Sequence, residues 1–299
     1  MPRKLRAPRV SVGVKTRAQS QRISKVSARK AAESVKKRAR KIVTKCQSVK
    51  KRRLFYDIET SFCQGHFWWP GHDVRIGADQ ITHYPRIICI SYKWEGKKSV
   101  HNLRWSEDQD DKTLLESFIE VLDQADEIVA HNGDKFDLKW MRARALKHSI
   151  PMKAKYTTID TYKMLKEGFR LPSNKLGEAA KYLGLDNKMD PGGIETWRKV
   201  VLEKDEDALN TMCEYCDQDV RTLEQLYQRL KNYSLPKTHY GALNKVGKDC
   251  CPECTSKRLK VKSKISTPAG SVQRYMVCKD CGRGFKFSDA SYRRYKETK

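Results

Sequence analysis

The stretch LFYDIET, residues 54–60, decides how the fold is interpreted, because it places two carboxylates in an otherwise apolar strand. Side chains alternate between the two faces of a strand, so Asp57 and Glu59 project from the same face. Burying paired carboxylates without a counter-charge is costly, and a bound divalent cation would remove that cost. The stretch therefore predicts a core strand that presents a metal site.

The segments around this strand predict a mixed α/β fold. Apolar runs predict further strands at 86–94, 99–105 and 127–131. Apolar residues at helical spacing predict helices at 112–124, 137–147, 174–183 and 207–230. Strands that come first and then alternate with helices favour a mixed sheet flanked by helices.

Positive charge is concentrated at the two ends of the chain. The 299 residues carry a formal net charge of +26, and residues 1–53 hold 20 Lys and Arg against one acid. Residues 244–299 hold 15 basic and 5 acidic residues, which leaves the centre slightly acidic. Basic ends suit phosphate and an acidic centre suits cations, so the charge pattern indicates a nucleic-acid partner.

Two later segments carry the same chemistry as the first strand. The sequence NGDKFD, residues 132–137, directly follows a predicted strand. Tyr215 and Asp219 lie four residues apart in the last long helix, so they share one helix face. Three separated segments can thus contribute carboxylates to one site.

The patterns Asp-x-Glu, Asn-x-x-x-Phe-Asp and Tyr-x-x-x-Asp, in this order, resemble the three exonuclease motifs of the DEDD superfamily. That superfamily includes the proofreading domains of DNA polymerases. The sequence also resembles phage and bacterial nucleases of this group. The tyrosine variant applies, because Glu214 stands five residues before Asp219, where the histidine variant has His. The resemblance covers about 54–230 and implies the ribonuclease H-like fold.

The resemblance also implies two metal ions and the residues that hold them. Asp57 would bridge both ions, Glu59 and Asp219 would complete one, and Asp137 would help hold the other. Tyr215 would orient or help deprotonate the attacking water. Oxygen ligands favour hard ions, so the expected cofactors are two Mg²⁺ or Mn²⁺.

Substrate contacts are expected from Thr60, Asn132 and Phe136. Phe136 could stack on the terminal base, and Asn132 could hydrogen-bond near the terminal nucleotide. Taken alone, Asp57 and Glu59 could instead be a solvated strand face, and Tyr215 and Asp219 could be an ordinary helix face. Each motif by itself is only weak evidence for catalysis. The three together favour catalysis.

Other residues near the motifs have structural interpretations. Asp160 is expected to support the site rather than to bind metal, and His131 is expected to support the fold. Trp68 and Trp69 could line a substrate groove, but core packing is the favoured interpretation.

Four cysteines near the C-terminus form two Cys-x-x-Cys pairs, Cys251 with Cys254 and Cys278 with Cys281. Four thiolates at this spacing predict one structural Zn²⁺, which a module of about 40 residues needs in order to fold. Cys250 could replace Cys251, although the Cys-Pro-x-Cys pattern favours Cys251. The segment also resembles the zinc ribbon of insertion-element transposases, notably over 273–275 and 278–283, where the ribbon is associated with DNA binding.

The predicted organisation has five parts. A basic tail at 1–53, disordered or conditionally helical, precedes an exonuclease domain at 54–231. A linker at 232–249 leads to a zinc ribbon at 250–288, and a short basic tail at 289–299 ends the chain.

The predicted function is a 3′–5′ DNA exonuclease that works by two-metal hydrolysis, preferring single-stranded or unpaired 3′ ends. An RNA exonuclease and a catalytically silent nucleic-acid-binding protein are the alternatives. DNA is the expected partner, with a separate polymerase or another replication or repair protein as a further possibility. The sequence has neither a secretory segment nor a long apolar run, so a soluble protein in the cytoplasm of a bacterial or phage-infected cell is expected.

Overall fold

The computed structural model describes residues 50–69, 75–185 and 192–298, which fall within one compact unit that spans Val49–Lys299. The predicted basic tail lies outside the described residues up to residue 49. Residues 50–53, which were also assigned to the tail, belong to the folded unit.

The described residues form ten strands and eight α-helices. The strands are β1 (Arg53–Thr60), β2 (Gln64–Gly65), β3 (Ile81–His83), β4 (Ile87–Trp94), β5 (His101–Arg104), β6 (Glu127–Ala130), β7 (Thr158–Asp160), β8 (Leu259–Ser266), β9 (Val272–Cys278) and β10 (Gly284–Ser288). The helices are α1 (Lys112–Leu122), α2 (Asp137–Lys147), α3 (Thr161–Gly168), α4 (Leu176–Tyr182), α5 (Ile194–Arg198), α6 (Glu206–Leu230), α7 (Tyr240–Leu243) and α8 (Asp289–Glu297). A π-helical turn covers Lys199–Glu203, and 3₁₀ turns cover Ala78–Gln80 and Lys231–Tyr233.

The main sheet has five strands in the order β5-β4-β1-β6-β7. β1 pairs antiparallel with β4 and parallel with β6, while β4 pairs antiparallel with β5 and β6 pairs parallel with β7. The predicted mixed sheet flanked by helices is therefore confirmed. Each strand and helix predicted between 54 and 230 is present, with bounds that differ by no more than two residues.

Helices cover both faces of the central strand β1. The Tyr56 ring packs on Phe118 of α1, with ring centroids 5.5 Å apart. The ring of the preceding residue, Phe55, packs on Tyr227 of α6, with ring centroids 5.6 Å apart. Because side chains alternate along a strand, Asp57 lies on the same face as Phe55 and is covered by α6.

Several elements of this domain were not predicted, namely β2, β3, β7, α3 and α5. The strand β7 has only three residues, too few for an alternating pattern, and α3 follows it directly. The hairpin β2–β3 leaves the end of β1 and carries Trp68 and Trp69, which are 93% and 83% exposed. The interpretation of these two tryptophans as core residues is therefore wrong.

The cysteine-rich segment forms a separate three-stranded sheet in the order β10-β9-β8, followed by α8. The preceding residues include α7, where Tyr240 is fully buried and its N–H donates to the Pro252 carbonyl at 2.8 Å. This hydrogen bond ties the segment to the turn between the first two cysteines. In the described part of the chain, no helix is long and apolar enough to cross a membrane.

A buried arginine joins the cysteine module to the main sheet. Arg53 is 1% exposed and forms ion pairs with Glu127 at 2.6 Å, Glu95 at 2.9 Å and Glu253 at 3.2 Å. Glu253 lies between Cys251 and Cys254, so this single guanidinium connects β1, β6 and the cysteine turn. Burial opposes the ionised form of Glu253, but the positive charge of Arg53 holds the pKa of Glu253 well below its usual range.

Replacing Arg53 should destabilise the whole unit. The change Arg53→Leu leaves three buried or partly buried glutamates without this cation, and breaking such a buried pair costs about 3–5 kcal/mol. Urea unfolding measures the free energy. The control is Arg104→Leu, which removes the exposed Arg104–Glu206 pair and should cost about 0–1 kcal/mol. Equal losses in the two variants would contradict this role for Arg53.

Candidate active site

Asp57 and Glu59 occupy the middle of the main sheet, under α6. Their partners across β4 are Ser91 and Cys89, and the pairing is irregular after Glu59. Carboxylate oxygens of both acids lie within 4.8 Å of each other and of the Cys216 thiol on α6. The side chains share one face, as the sequence predicts, and each keeps only limited contact with solvent.

A tight loop after β6 brings Asp137 to the same place. Asn132 adopts a left-handed conformation with φ of 65°, and its carbonyl accepts a hydrogen bond from the Phe136 N–H at 3.0 Å. At Gly133, a Cβ would lie 2.4 Å from the Ala130 Cβ, so only glycine fits. β1 no longer pairs with β6 beyond Phe55, and the Ile58 N–H donates instead to the buried Asp137 carboxylate.

The helix α6 supplies the fourth carboxylate. It begins after Asp205, whose side chain accepts from the Ala208 N–H, and Tyr215 hydrogen-bonds to Asp219 one turn further on. Burial raises the pKa values of Asp57 and Glu59, and Asp137 and Asp219 are among the charges that raise them further. Asp137 and Asp219 therefore lie close enough to act on both acids.

A polar contact that sequence reasoning missed fixes α6 over the sheet. The Ser91 hydroxyl donates to the Asp217 carboxylate at 2.6 Å, and the Asn102 amide donates to the Ser91 hydroxyl at 2.7 Å. The Cys216 thiol, next in the helix, lies 3.8 Å from the Asp57 carboxylate. These residues belong to three distant segments, so no local pattern could reveal them.

The acidic site is electrostatically unfavourable without cations. Burial, followed by the charges of Asp219 and Asp137, raises the pKa of Glu59 to about 8. Burial also raises the pKa of Asp137 to about 7, although backbone N–H groups bond to its carboxylate. Burial raises the pKa of Asp219 to about 6, against the hydrogen bond from Tyr215. Among the described residues, no Lys or Arg forms an ion pair with any of these acids.

The donor set fits hard divalent cations. Four carboxylates provide oxygen ligands, and a cation would offset the repulsion that raises their pKa values. The residues that could hold cations are therefore Asp57, Glu59, Asp137 and Asp219. Their assignment as metal ligands stays a prediction.

The three predicted substrate contacts surround these acids along the chain. Phe136, directly before Asp137, is 41% exposed and packs edge-on against Trp140. Thr60 follows Glu59, and its carbonyl accepts from the Trp197 indole at 3.1 Å. Asn132 uses its N–H to reach the Asp160 carboxylate at 2.9 Å.

Asp160 and His131 brace this loop. The Asp160 carboxylate caps α3 by accepting from the Tyr162 and Lys163 N–H groups, in addition to Asn132. The His131 ring contacts the Thr161 hydroxyl at 2.9 Å and the Asn174 carbonyl at 2.8 Å. Both residues hold the loop that carries Asp137, in agreement with the supporting roles predicted for them.

The four cysteines of the second module converge. The Cys251 and Cys281 sulfurs are 3.6 Å apart, as are those of Cys254 and Cys278, and all four lie within 4.8 Å of one another. A tetrahedral zinc with bonds of about 2.3 Å requires sulfurs roughly 3.8 Å apart, so the cluster is compatible with zinc. The Cys250 thiol points instead to the Gly247 carbonyl at 3.5 Å.

Comparison with known proteins identifies the family. Residues 79–231, just over half of the chain, match the family model described as the RNase H superfamily. The chain belongs to the RNase H superfamily. The match begins after β1, yet the structure pairs β1 at the centre of the RNase H-like sheet.

Curated proteins and solved structures were also compared with this chain. No curated protein matches the sequence. Among solved structures, this RNase H-like chain is similar to the family B DNA polymerase from the hyperthermophilic archaeon Pyrobaculum calidifontis, with 18% identity and a TM-score of 0.47. That alignment covers 60% of this chain and 24% of the polymerase chain, so the chain spans about a quarter of the polymerase's length.

The raised pKa values predict how stability responds to pH without added Mg²⁺ or Mn²⁺. These acids bind protons more tightly in the folded chain than in the unfolded chain. Their contribution is therefore full below about pH 4 and is lost as the pH rises through about 6–8. Glu59→Gln should raise Tm at about pH 8, by roughly 2–4 °C if about 1 kcal/mol of repulsion is relieved.

Differential scanning calorimetry on zinc-loaded protein checks this prediction. The control is Glu214→Gln, an exposed acid on the same helix, which should leave Tm nearly unchanged. A wild-type Tm that does not depend on Mg²⁺ at about pH 8 would argue against a cation site.

We also predict one tightly bound zinc per chain, held by Cys251, Cys254, Cys278 and Cys281. Elemental analysis measures it, and the double change Cys278→Ser with Cys281→Ser should remove it. Cys250→Ser is the control and should retain zinc, because its thiol lies outside the cluster. Full zinc in the double variant would rule out this ligand set.

Proposed function

We propose that the chain is a divalent-metal-dependent 3′–5′ exonuclease that removes nucleotides from unpaired 3′ ends of DNA. The observation that carries the proposal is the convergence of Asp57, Glu59, Asp137 and Asp219, which come from β1, the loop after β6, and α6. Membership of the RNase H superfamily supports nuclease chemistry at this site. The order and type of the three motifs support the polarity.

The metal ions proposed here would supply an activated water and stabilise charge on the phosphoryl group and the leaving oxygen. Asp57, Glu59, Asp137 and Asp219 would hold these ions through their carboxylate oxygens. The Tyr215 hydroxyl, held by Asp219, orients the attacking water. The exposed Phe136 ring is available to stack on the terminal base.

DNA is the proposed substrate because of the two basic ends and the cysteine module. Exposed Lys260, Lys262 and Lys264 lie along β8, on the edge of the second sheet. Such residues hold phosphates without reading sequence. The positive charge therefore serves binding, while the acidic site serves chemistry.

Removing the carboxylate of Asp57 or of Asp219 should separate DNA binding from DNA cleavage. Asp57→Ala or Asp219→Ala should abolish cleavage of end-labelled single-stranded DNA in Mg²⁺ and leave DNA affinity nearly unchanged. Tyr215→Phe should lose on the order of 10²-fold, because it removes only an assisting hydroxyl. The exposed Glu214→Ala is the control and should cleave normally.

The same assay, run on single-stranded DNA, duplex DNA and RNA, tests polarity and sugar choice. Sequential shortening from the 3′ end of DNA is expected. Wild-type cleavage by Asp57→Ala would refute the site, and degradation from the 5′ end would refute the polarity. Faster digestion of RNA would favour an RNA exonuclease, and intact substrate throughout would favour a binding protein.

A further inference from the structure

A second site is indicated by a cavity of about 240 Å³ between the RNase H-like domain and the cysteine module. Its walls come from α3, the C-terminal half of α6, the segment 234–237 and Arg283 of the cysteine module. Tyr227 in this wall is eight residues beyond Asp219 on α6, about 12 Å along the helix axis. Asp134 and Asp160 also line the cavity, so it adjoins the loop that carries Asp137, but none of the four carboxylates is among its lining residues.

Buried polar atoms without partners are concentrated here. In residues 50–69, 75–185 and 192–298, six buried side-chain nitrogen or oxygen atoms lack a hydrogen-bond partner. Four of the six belong to residues that line this cavity: Arg283 Nε and Nη1, the Tyr227 hydroxyl and Asp160 Oδ2. Each such atom costs free energy, and the cost is highest for the charged guanidinium.

Arg283 is the least compensated of these groups. It is 2% exposed, and its guanidinium has no ion-pair partner in the described part of the chain. The nearby Lys163 is already paired with Asp134 at 2.6 Å, and the Lys237 ammonium donates to the Thr158 carbonyl. Two cationic side chains of this cavity thus have no acidic partner of their own.

The cavity also has acidic atoms, and they limit the ligand. Asp160 Oδ1 accepts from the N–H groups of Asn132, Tyr162 and Lys163, so that oxygen is satisfied at the N-terminus of α3. Asp160 Oδ2 is left needing a donor, and Glu167 is a second acid in the wall. A matching ligand must accept hydrogen bonds from Arg283 and Tyr227 and donate one to Asp160.

We propose that this cavity binds a phosphate group. Phosphate oxygens accept from the Arg283 guanidinium and the Tyr227 hydroxyl, and a protonated phosphate oxygen donates to Asp160 Oδ2. The second ionisation of a phosphate monoester has a pKa of about 6, so the protonated form is present near neutral pH. The site does not depend on nuclease activity, because none of the four carboxylates takes part.

Calorimetric titration of the full, zinc-loaded chain with inorganic phosphate tests the proposal. One saturable site is expected at constant ionic strength, with chloride as the reference anion. Arg283→Gln should weaken phosphate binding by about 10- to 100-fold, the effect of losing a charged hydrogen bond. Tyr227→Phe should weaken it by about 2- to 10-fold, since it removes only the hydroxyl.

The matched control is Arg294→Gln, an exposed arginine of the same module, which should bind phosphate like the wild type. Zinc content and the unfolding transition show whether each variant is folded. If Arg283→Gln does not fold, Tyr227→Phe and Lys237→Gln decide. The absence of saturable binding, or equal affinity in the wild type and the folded variants, would overturn the proposal and leave water as the occupant.

Competition then distinguishes the source of the phosphate. A short single-stranded DNA that displaces inorganic phosphate would show that the cavity takes a phosphate of the nucleic acid. An internal phosphodiester has no proton to donate near neutral pH, so only the oligonucleotide with a 5′-phosphate monoester should displace inorganic phosphate. Equal displacement by the same oligonucleotide without the 5′-phosphate would contradict the hydrogen bond to Asp160 Oδ2. Phosphate binding that no oligonucleotide displaces would assign the cavity to free phosphate.

Discussion

Four carboxyl groups must be held close together in this fold without a basic partner among the described residues. Asp57 and Glu59 come from one strand face, and Asp137 and Asp219 are brought to them by a loop and a helix. Burial raises the pKa of each of the four, and the charges of Asp137 and Asp219 raise the pKa values of Asp57 and Glu59 further, with no Lys or Arg ion pair to relieve them among the described residues. The folded chain maintains this arrangement at a cost in stability, which divalent cations would remove.

The surrounding scaffold holds these acids in place. The Ser91–Asp217 hydrogen bond fixes α6, and Asp160 fixes the loop that carries Asp137. Arg53 shows the opposite solution to the same problem, because its guanidinium directly neutralises Glu95, Glu127 and Glu253. Glu95, Glu127 and Glu253 share a cation, whereas the four acids of the candidate site have none among the described residues.

The main sheet and its helices could be predicted because their signals are local. Alternation in 54–60 and helical spacing in 207–230 need only neighbouring residues, and the carboxylate motifs stand on those elements. Arg53 could not be separated from the basic tail, because its partners lie 42 to 200 residues away. The three-residue β7 and the exposed tryptophans likewise depend on tertiary contacts that no local pattern contains.

The central claim is that the four carboxylates together hold two divalent cations. Manganese binding to the full, zinc-loaded chain, followed by electron paramagnetic resonance, tests it most directly. The account predicts two bound Mn²⁺ per chain with magnetic coupling between them, and loss of that coupled pair in Asp57→Asn. One uncoupled Mn²⁺ per chain, or a coupled pair that persists in Asp57→Asn, would contradict it.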